Sequence, residues 1–210
     1  MKTIRVVSGE YKIENEIKRS RFIATAKGEV SQEEAEAFVK SVKKQYSDAT
    51  HNCYAYVADE LGNIARFSDD GEPSGTAGQP ILDVIKKQGL VKTAIVITRY
   101  FGGIKLGAGG LVGAYSAAAS DVLKVAKILE KKECQKVFLK TDYSTFSAVE
   151  KYLFKAECKP LGFDYGDEVS GEIVVPKDDV NGFVLSINEL TSGKAETKIL
   201  DEVFFDAISK

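Results

Sequence analysis

The sequence predicts an α+β chain of two domains, on three observations. Its 210 residues are 44% hydrophobic, which is enough to build one large core or two smaller ones. Strand-like and helix-like periods alternate through the first 130 residues, and the charged segment Glu130–Glu133 then reads as a connector. After it the order is strand, helix, strand, strand, helix, strand, the βαββαβ order of a ferredoxin-like domain. The predicted domains are therefore residues 1–130 and 131–210.

The first half of the N-terminal domain is predicted to contain two hairpins and a helix. Strand-like material covers residues 5–30 and is interpreted as a hairpin. Ser31 and Glu34 have the spacing of a capping box, and apolar residues at helical spacing follow them. The aromatic and β-branched run 52–58, with a second short run after a turn, predicts another hairpin.

The second half of this domain predicts two helices around a buried strand. Pro80 is compatible with the first turn of a helix that Gly89 ends. The run 93–98 is continuously apolar and β-branched, as in a buried strand. The alanine-rich segment 111–129 has apolar residues almost all round its axis, so we expect it to be a central helix.

Composition excludes several classes of protein. Cys53, Cys134 and Cys158 are odd in number and far apart, which does not fit a disulfide scaffold or a zinc site. His51 is the only histidine, so no metal is expected. The N-terminus lacks the apolar core of a secretion signal and no long apolar run occurs elsewhere, so we expect a cytoplasmic protein that does not bind membranes.

Charge is nearly balanced, with a formal net charge of −2. Residues 1–130 carry 18 Lys and Arg against 16 Asp and Glu, whereas residues 131–210 carry 11 against 15. A dedicated nucleic-acid-binding protein is more often basic overall. Any binding to nucleic acid must therefore depend on a local patch.

Glycine is concentrated in two loops, and eleven of the eighteen glycines lie between Gly62 and Gly113. The first loop precedes the helix that contains Pro80, where hydroxyls, backbone amides and the helix dipole could hold an anion. The same residues fit a turn with an ordinary helix cap. They are Ser74, Gly75, Thr76 and Gly78.

The acidic part of the first loop also allows two interpretations. Asp69, Asp70 and Glu72, around Gly71, supply three carboxylates in four residues. Carboxylates can hold Mg²⁺ or accept hydrogen bonds from bases and riboses. A solvated turn is the alternative.

The second loop follows a strand and opens a helix, the context in which phosphate loops occur. Neither phosphate-loop fingerprint is matched, and the small residues could instead let the helix lie flat against its sheet. Arg66, Arg99 and Tyr100 flank the two loops in the sequence and could contact phosphates and bases. The loop contains Gly102, Gly103, Lys105, Gly107, Gly109 and Gly110.

His51 and Cys53 fall on one face of a predicted strand, which permits a thiolate–imidazole pair. No third group that would orient the pair can be assigned. A structural or ligand-contacting His51 is the preferred interpretation.

Three segments together resemble the IMPACT/YigZ family. They are DATHNCYAY at 48–56, RFSDDGEPSGTAGQPIL at 66–82 and VITRYFGGIKLGAGGLVGAYS at 96–116. The resemblance implies a first domain like a small-subunit ribosomal protein and domain IV of elongation factor G, followed by a ferredoxin-like domain similar to domain V. Members usually carry a basic residue after Gly-Gly-Leu-Val, where this chain has Gly113.

We therefore expect a non-catalytic protein that binds RNA or the ribosome and modulates translation, without a cofactor and with a protein partner as a further option. Two alternatives stay open: a nucleotide- or phosphate-binding enzyme resembling the small-molecule kinases of this fold, and a protein-interaction module. The residues expected to contact RNA are His51, Arg66, Asp69, Asp70, Gly71, Glu72, Ser74, Gly75, Thr76, Gly78, Arg99, Tyr100, Gly102, Gly103, Lys105, Gly107, Gly109 and Gly110.

Overall fold

The structure, a computed structural model, describes residues 2–206 and has the predicted α+β composition. The chain divides into two compact units. The N-terminal unit is Ile4–Leu129, and the C-terminal unit runs from Glu130 onward and includes the first residues of the chain. Among residues 2–206, no helix combines the length and apolar composition needed to cross a membrane.

The N-terminal unit consists of one antiparallel sheet with helices packed against it. Its sheet has the strand order β2-β3-β6-β4-β5. The elements are β1 (Thr3–Val7), β2 (Glu10–Ile17), β3 (Ser20–Gly28), α1 (Gln32–Gln45), β4 (His51–Val57), β5 (Ala65–Ser68), α2 (Gly78–Lys87), β6 (Thr93–Tyr100) and α3 (Ala108–Val125).

Helices cover both faces of this sheet, and β6 lies at its centre. Ala94 and Val96 pack with α1 on one face, whereas Ile95 and Ile97 pack with α2 and α3 on the other. A strand buried on both faces has a nearly continuous run of apolar residues. This explains why the run was recognisable from the sequence.

The predicted capping box at α1 is present. The Ser31 hydroxyl accepts from the Glu34 backbone amide at 3.2 Å, and the Glu34 carboxylate accepts from the Ser31 amide at 2.8 Å. These two bonds satisfy donors that a helix start leaves without partners.

Two predictions for this unit need correction. A separate strand, β1, precedes the hairpin of β2 and β3. The third helix is not central: Val112 and Val125 are exposed, because the residues that complete its apolar surface are mostly glycines and alanines with little area to bury.

The C-terminal unit has the predicted ferredoxin-like order. It contains β7 (Ile128–Thr141), α4 (Tyr143–Lys155), β8 (Lys159–Tyr165), β9 (Val169–Pro176), α5 (Val180–Leu190) and β10 (Glu196–Asp206). Antiparallel pairing gives the order β10-β7-β9-β8. Residues of both helices and of β7 and β9 form its core, among them Leu139, Val149, Ile173 and Phe183.

The connector predicted at Glu130–Glu133 is wrong. These residues belong to β7, which begins at Ile128. Their charges lie at the surface of the strand in ion pairs, such as Glu133 with Lys177 at 3.0 Å and Lys132 with Glu157 at 3.6 Å. A charge run alone therefore did not distinguish a loop from a solvated strand.

Candidate functional site

The loop between β5 and α2 is folded around the carboxylate of Asp69. One carboxylate oxygen, Oδ1, accepts from the backbone amides of Ala77 at 3.0 Å and Gly78 at 2.8 Å, and Oδ2 accepts from Gly75 at 2.8 Å. Burial alone would raise the pKa of Asp69, but the three amides outweigh it and hold the pKa below its usual range. The amides predicted to receive an external anion thus bind this internal one.

The remaining residues of this loop are divided between surface and interior. Ser74 and Gly75 are exposed, whereas Thr76 and Gly78 are buried. The Thr76 hydroxyl donates to the Pro73 carbonyl at 2.6 Å. A Cβ at Gly78 would lie 2.7 Å from the Ser68 carbonyl carbon, so only glycine lets α2 begin this close to β5.

Asp70 ties the loop to α1 and β4. Its carboxylate accepts hydrogen bonds from the Lys43 amine at 2.5 Å and from the Asn52 backbone amide at 2.6 Å. Burial opposes ionisation, but these two contacts lower the pKa of Asp70. The Asp70 carbonyl lies 2.8 Å from His51 Nδ1, and Gly71, at φ +87°, packs against the same imidazole.

A buried polar cluster lies beneath the loop and consists of His51, Cys53, Glu72, Arg99 and Tyr115. Glu72 Oε1 accepts from Arg99 Nη1 at 2.6 Å and from the Tyr115 hydroxyl at 2.8 Å. His51 Nε2 lies 3.9 Å from the same oxygen. The Glu72 and Arg99 side chains are only 3% and 5% exposed, so this is an interior ion pair.

Strand register explains why Arg99 lies inside. It sits opposite His51 on β4 and Phe22 on β3, on the face of β6 that also carries Ile95 and Ile97. Arg99 Nη2 donates to the Ser20 hydroxyl at 3.2 Å, and its Nε is buried without a partner among the described residues. The arginine thus ties β6 to Glu72 in the acidic loop and to the start of β3.

Cys53 does not have the properties of a nucleophile. Its thiol donates to the Asp69 carbonyl at 2.9 Å and lies 3.3 Å from the Tyr115 hydroxyl. Burial raises the pKa of the Cys53 thiol to about 12. Because the thiolate is the reactive form, a thiol held protonated at neutral pH is inert.

The second glycine loop meets the turn between β2 and β3. A Cβ at Gly102 would lie 1.8 Å from the Arg19 carbonyl oxygen, so the two segments are in direct backbone contact. The Gly102 amide also donates to the Ser20 hydroxyl at 3.3 Å. Lys18 and Arg19 form the turn and have φ values of +46° and +63°.

This junction carries exposed cations and exposed apolar side chains together. We call it the basic tip, defined by Lys18, Arg19, Phe101, Ile104 and Lys105. Phe101 is 47% and Ile104 41% exposed, and the three cations are exposed as well. None of these cations pairs with a carboxylate in the part of the chain that the structure describes.

Sequence reasoning selected Lys105 but missed the other four residues of the tip. The sequence signal for Lys18 and Arg19 was a pair of basic residues between two strand-like segments. Phe101 and Ile104 could have been noted as large apolar residues inside a glycine-rich loop. The contact between turn and loop is tertiary and was not visible in the sequence.

Of the other glycines, Gly103 lies within the loop, and Gly107, Gly109 and Gly110 lie at the start of α3. Gly103 and Gly107 have φ values of +85° and +75°. Gly109 and Gly110 are exposed in the first turn, and a Cβ at Gly109 would meet nothing within 4 Å. Close packing therefore does not explain Gly109. No side chain among residues 2–206 caps this helix start, whereas the Asp69 carboxylate binds the amides at the start of α2.

Two predicted contact residues lie away from the tip or are already engaged. Arg66, on the edge strand β5, pairs in register with Tyr56, which packs with α1 on the opposite face of the sheet from Arg99. The Tyr100 hydroxyl donates to Asp48 at 2.9 Å, and Arg21 covers the Tyr100 ring. Among residues 2–206, no group of three His, Cys, Asp or Glu side chains is placed to hold a metal ion.

Comparisons with known proteins confirm the family resemblance that the sequence motifs indicated. Residues 18–123 match the family model described as the Impact N-terminal domain. The chain is 41% identical to "IMPACT family member YvyE" of Bacillus subtilis, over 91% of this chain and 87% of that protein. It is 34% identical to "IMPACT family member YigZ" of Escherichia coli, over 89% and 93%.

A solved structure, described only as that of a hypothetical protein, is similar over both units. It has a TM-score of 0.66 and 31% identity, and the match covers 96% of this chain and 98% of that one. Together, the family model and the relatives show that the chain belongs to the IMPACT family.

Proposed function

We propose that the N-terminal unit binds RNA, on the ribosome in the cytoplasm, through the basic tip, and that the protein modulates translation without a chemical step. The observation that carries the proposal is the junction of turn and loop, which brings the exposed residues Lys18 and Arg19 of the turn to the loop that carries the exposed Phe101 and Lys105. The Arg99 guanidinium lies 5.5 Å from the Phe101 ring centroid, and the ring is still 47% exposed. Cations that contact phosphates, next to an aromatic ring that can stack on a base, are the equipment of single-stranded nucleic-acid binding.

The surroundings of the tip support this use. The first turn of α3 is exposed and follows Lys105 closely in the chain, and no side chain in the described part of the chain caps it. Backbone amides at a helix start favour phosphate oxygens. The acidic loop contributes little repulsion, because Asp69, Asp70 and Glu72 are each engaged with groups of the protein itself.

An enzymatic role receives less support from the same geometry. The kinase-like alternative uses the glycine-rich loop before α3 for phosphate and the acidic loop for Mg²⁺, but Asp69, Asp70 and Glu72 already accept hydrogen bonds from groups of the protein itself. A phosphate site at α2 would need the amides that Asp69 already holds. A cysteine nucleophile would need a thiolate, and the pKa of Cys53 is far above neutrality. The buried cluster therefore serves to join the loop to the sheet.

The test is a salt series of RNA affinity, measured by fluorescence anisotropy with a labelled single-stranded 12-nucleotide RNA. The variant Arg19→Gln with Lys105→Gln removes two cations of the tip. The matched control, Lys86→Gln with Lys87→Gln, removes two exposed cations at the end of α2.

We expect the tip variant to bind at least about tenfold more weakly and its logarithmic salt slope to be flatter by about 1.4, roughly 0.7 for each lost phosphate contact. The control should bind like the original protein. Equal weakening in both variants would mean that overall charge governs binding, and it would overturn the assignment to the tip.

A further inference from the structure

A groove of about 460 Å³ lies between the two helices of the C-terminal unit, and we call it the helix groove. Tyr152 and Lys155 line it from the end of α4, and Gly182 and Ser186 line it from α5. Residues three or four apart share one face of a helix, so each helix contributes one face to the groove. The volume lies within the range of about 300 to 1,000 Å³ that is typical of ligand sites.

The floor of the helix groove is apolar. Val175 and Phe183 line it and belong to the buried core of the unit. The Tyr152 ring lies against Phe183, with the ring centroids 5.9 Å apart and 43° between the planes, and Tyr152 is only half-buried. The Tyr152 hydroxyl has no hydrogen-bond partner among residues 2–206. The groove thus offers a partly exposed aromatic ring to a ligand.

The rim of the helix groove is predominantly acidic. Three exposed carboxylates line it, those of Glu157, Asp178 and Asp179, against one cation, Lys155. Asp179 stands at the N-cap position of α5, where an aspartate ordinarily accepts hydrogen bonds from the helix amides. Its carboxylate makes no such bond and no ion pair in the described part of the chain. The helix start therefore does not account for this carboxylate.

Gly182 keeps the groove open on the side of α5. It lies exposed in the first turn of the helix, and a Cβ there would meet nothing within 4 Å. Glycine destabilises a helix relative to alanine, and neither close packing nor a positive φ requires it at this position. The missing side chain leaves space for a ligand between the helices.

We infer that the helix groove binds a cationic segment of a protein partner, with arginine or lysine side chains on Glu157 and Asp179 and an apolar side chain against Tyr152. Charge complementarity selects this ligand, because the carboxylates attract cations and repel an anion such as RNA. Residues 131–210 carry 11 Lys and Arg against 15 Asp and Glu, so the unit as a whole has the same sign. The inference concerns a different unit from the basic tip and does not depend on RNA binding.

The experiment measures the affinity of a labelled eight-residue peptide that alternates arginine and leucine, by fluorescence anisotropy. Glu157→Gln with Asp179→Asn removes two carboxylates of the rim, and Gly182→Leu places a side chain in the groove. The matched controls are Asp167→Asn with Asp201→Asn, two exposed carboxylates of the same unit outside the groove lining, and Gly182→Ala. Thermal unfolding checks that each variant keeps its fold.

We expect the rim variant to bind the peptide about fivefold more weakly, since exposed ion pairs are individually weak. Gly182→Leu should weaken binding at least about tenfold, because its side chain occupies the space of the ligand. Lys155→Gln should strengthen binding about twofold, because it removes a like charge. Both controls should bind like the original protein.

Three results would overturn the assignment of the helix groove. They are failure of the original protein to bind the peptide, equal weakening in the rim variant and its charge control, and equal affinity for a peptide in which glycine replaces leucine. The last result would mean that the apolar floor is not used. Oligouridine binding by the rim variant should equal that of the original protein, so the outcome for the groove is separate from the outcome for the basic tip.

Discussion

At the scale of single residues, the ion pair of Arg99 and Glu72 is the feature that most changes how the sequence motifs are interpreted. Both residues stand in the glycine-rich motifs and have side chains suited to contacting a ligand. In the structure they neutralise each other in the interior, where Tyr115 also donates to Glu72. Their presence in the motifs is explained by the folding of the acidic loop onto the sheet.

This account predicts a large loss of stability from Arg99→Met. The change leaves the buried Glu72 carboxylate without its cation, and breaking a buried pair costs about 3 to 5 kcal/mol. Unfolding in urea measures the loss, with Arg66→Met as the exposed control, for which a change below about 0.5 kcal/mol is expected. A loss below about 1 kcal/mol for Arg99→Met would contradict the structural role of the pair.

How far the site could be predicted depended on strand register. The run 93–98 was recognised, but β6 continues to Tyr100. The two further residues place Arg99 on the face of Ile95 and Ile97, since side chains alternate along a strand. A strand end fixed only to within two residues could not decide whether Arg99 faces core or solvent. The contact of Gly102 with Arg19 needed the tertiary structure altogether.

At the scale of elements, the start of α2 shows how an acidic loop can be built for structure. Asp69 satisfies three backbone amides, two of them at the helix start. This side chain does the work of a helix cap, although it lies nine residues before Gly78. Sequence patterns for caps consider only neighbouring residues, so the role of Asp69 could not be predicted.

For Asp69→Asn we expect a loss of about 1 kcal/mol at pH 7, because asparagine keeps one acceptor oxygen but loses the second one and the negative charge that strengthens these hydrogen bonds. Because the pKa of Asp69 is lowered in the folded state, its contribution is present above the unfolded carboxyl pKa of about 3.9 and is lost as pH falls through the folded value. The difference between variant and original should therefore shrink below about pH 4. Urea unfolding at pH 7 and pH 3 checks this, and a difference that grows in acid would contradict it.

Element type was predictable where periods were strong, as in β6, α1 and the βαββαβ order of the C-terminal unit. It failed where charge was read as a sign of a loop. At Glu130–Glu133, charged residues form ion pairs on the surface of β7, such as Glu133 with Lys177. The third helix was predicted as a helix and is one, but the expectation that it is central was wrong, because glycine and alanine count as apolar but bury little area.

At the scale of the whole molecule, function depends on where charge lies, since the net charge of −2 gives no general attraction to RNA. The ion pairs on the strands of the C-terminal unit, such as Lys136 with Glu172 and Lys140 with Glu168, neutralise charge locally. In the N-terminal unit, the cations of the basic tip pair with no carboxylate among residues 2–206. The central claim is therefore that a local patch of this unit recognises RNA.

Sedimentation of the purified protein with ribosomes and isolated subunits, repeated over a salt series, tests that claim most directly. We expect the original protein and the variant with Lys86→Gln and Lys87→Gln to co-sediment at low salt. The variant with Arg19→Gln and Lys105→Gln should remain in the supernatant at salt concentrations where the other two still sediment. Absence of the original protein from the ribosomal fractions at every salt concentration would contradict the account, and so would equal sedimentation of all three proteins.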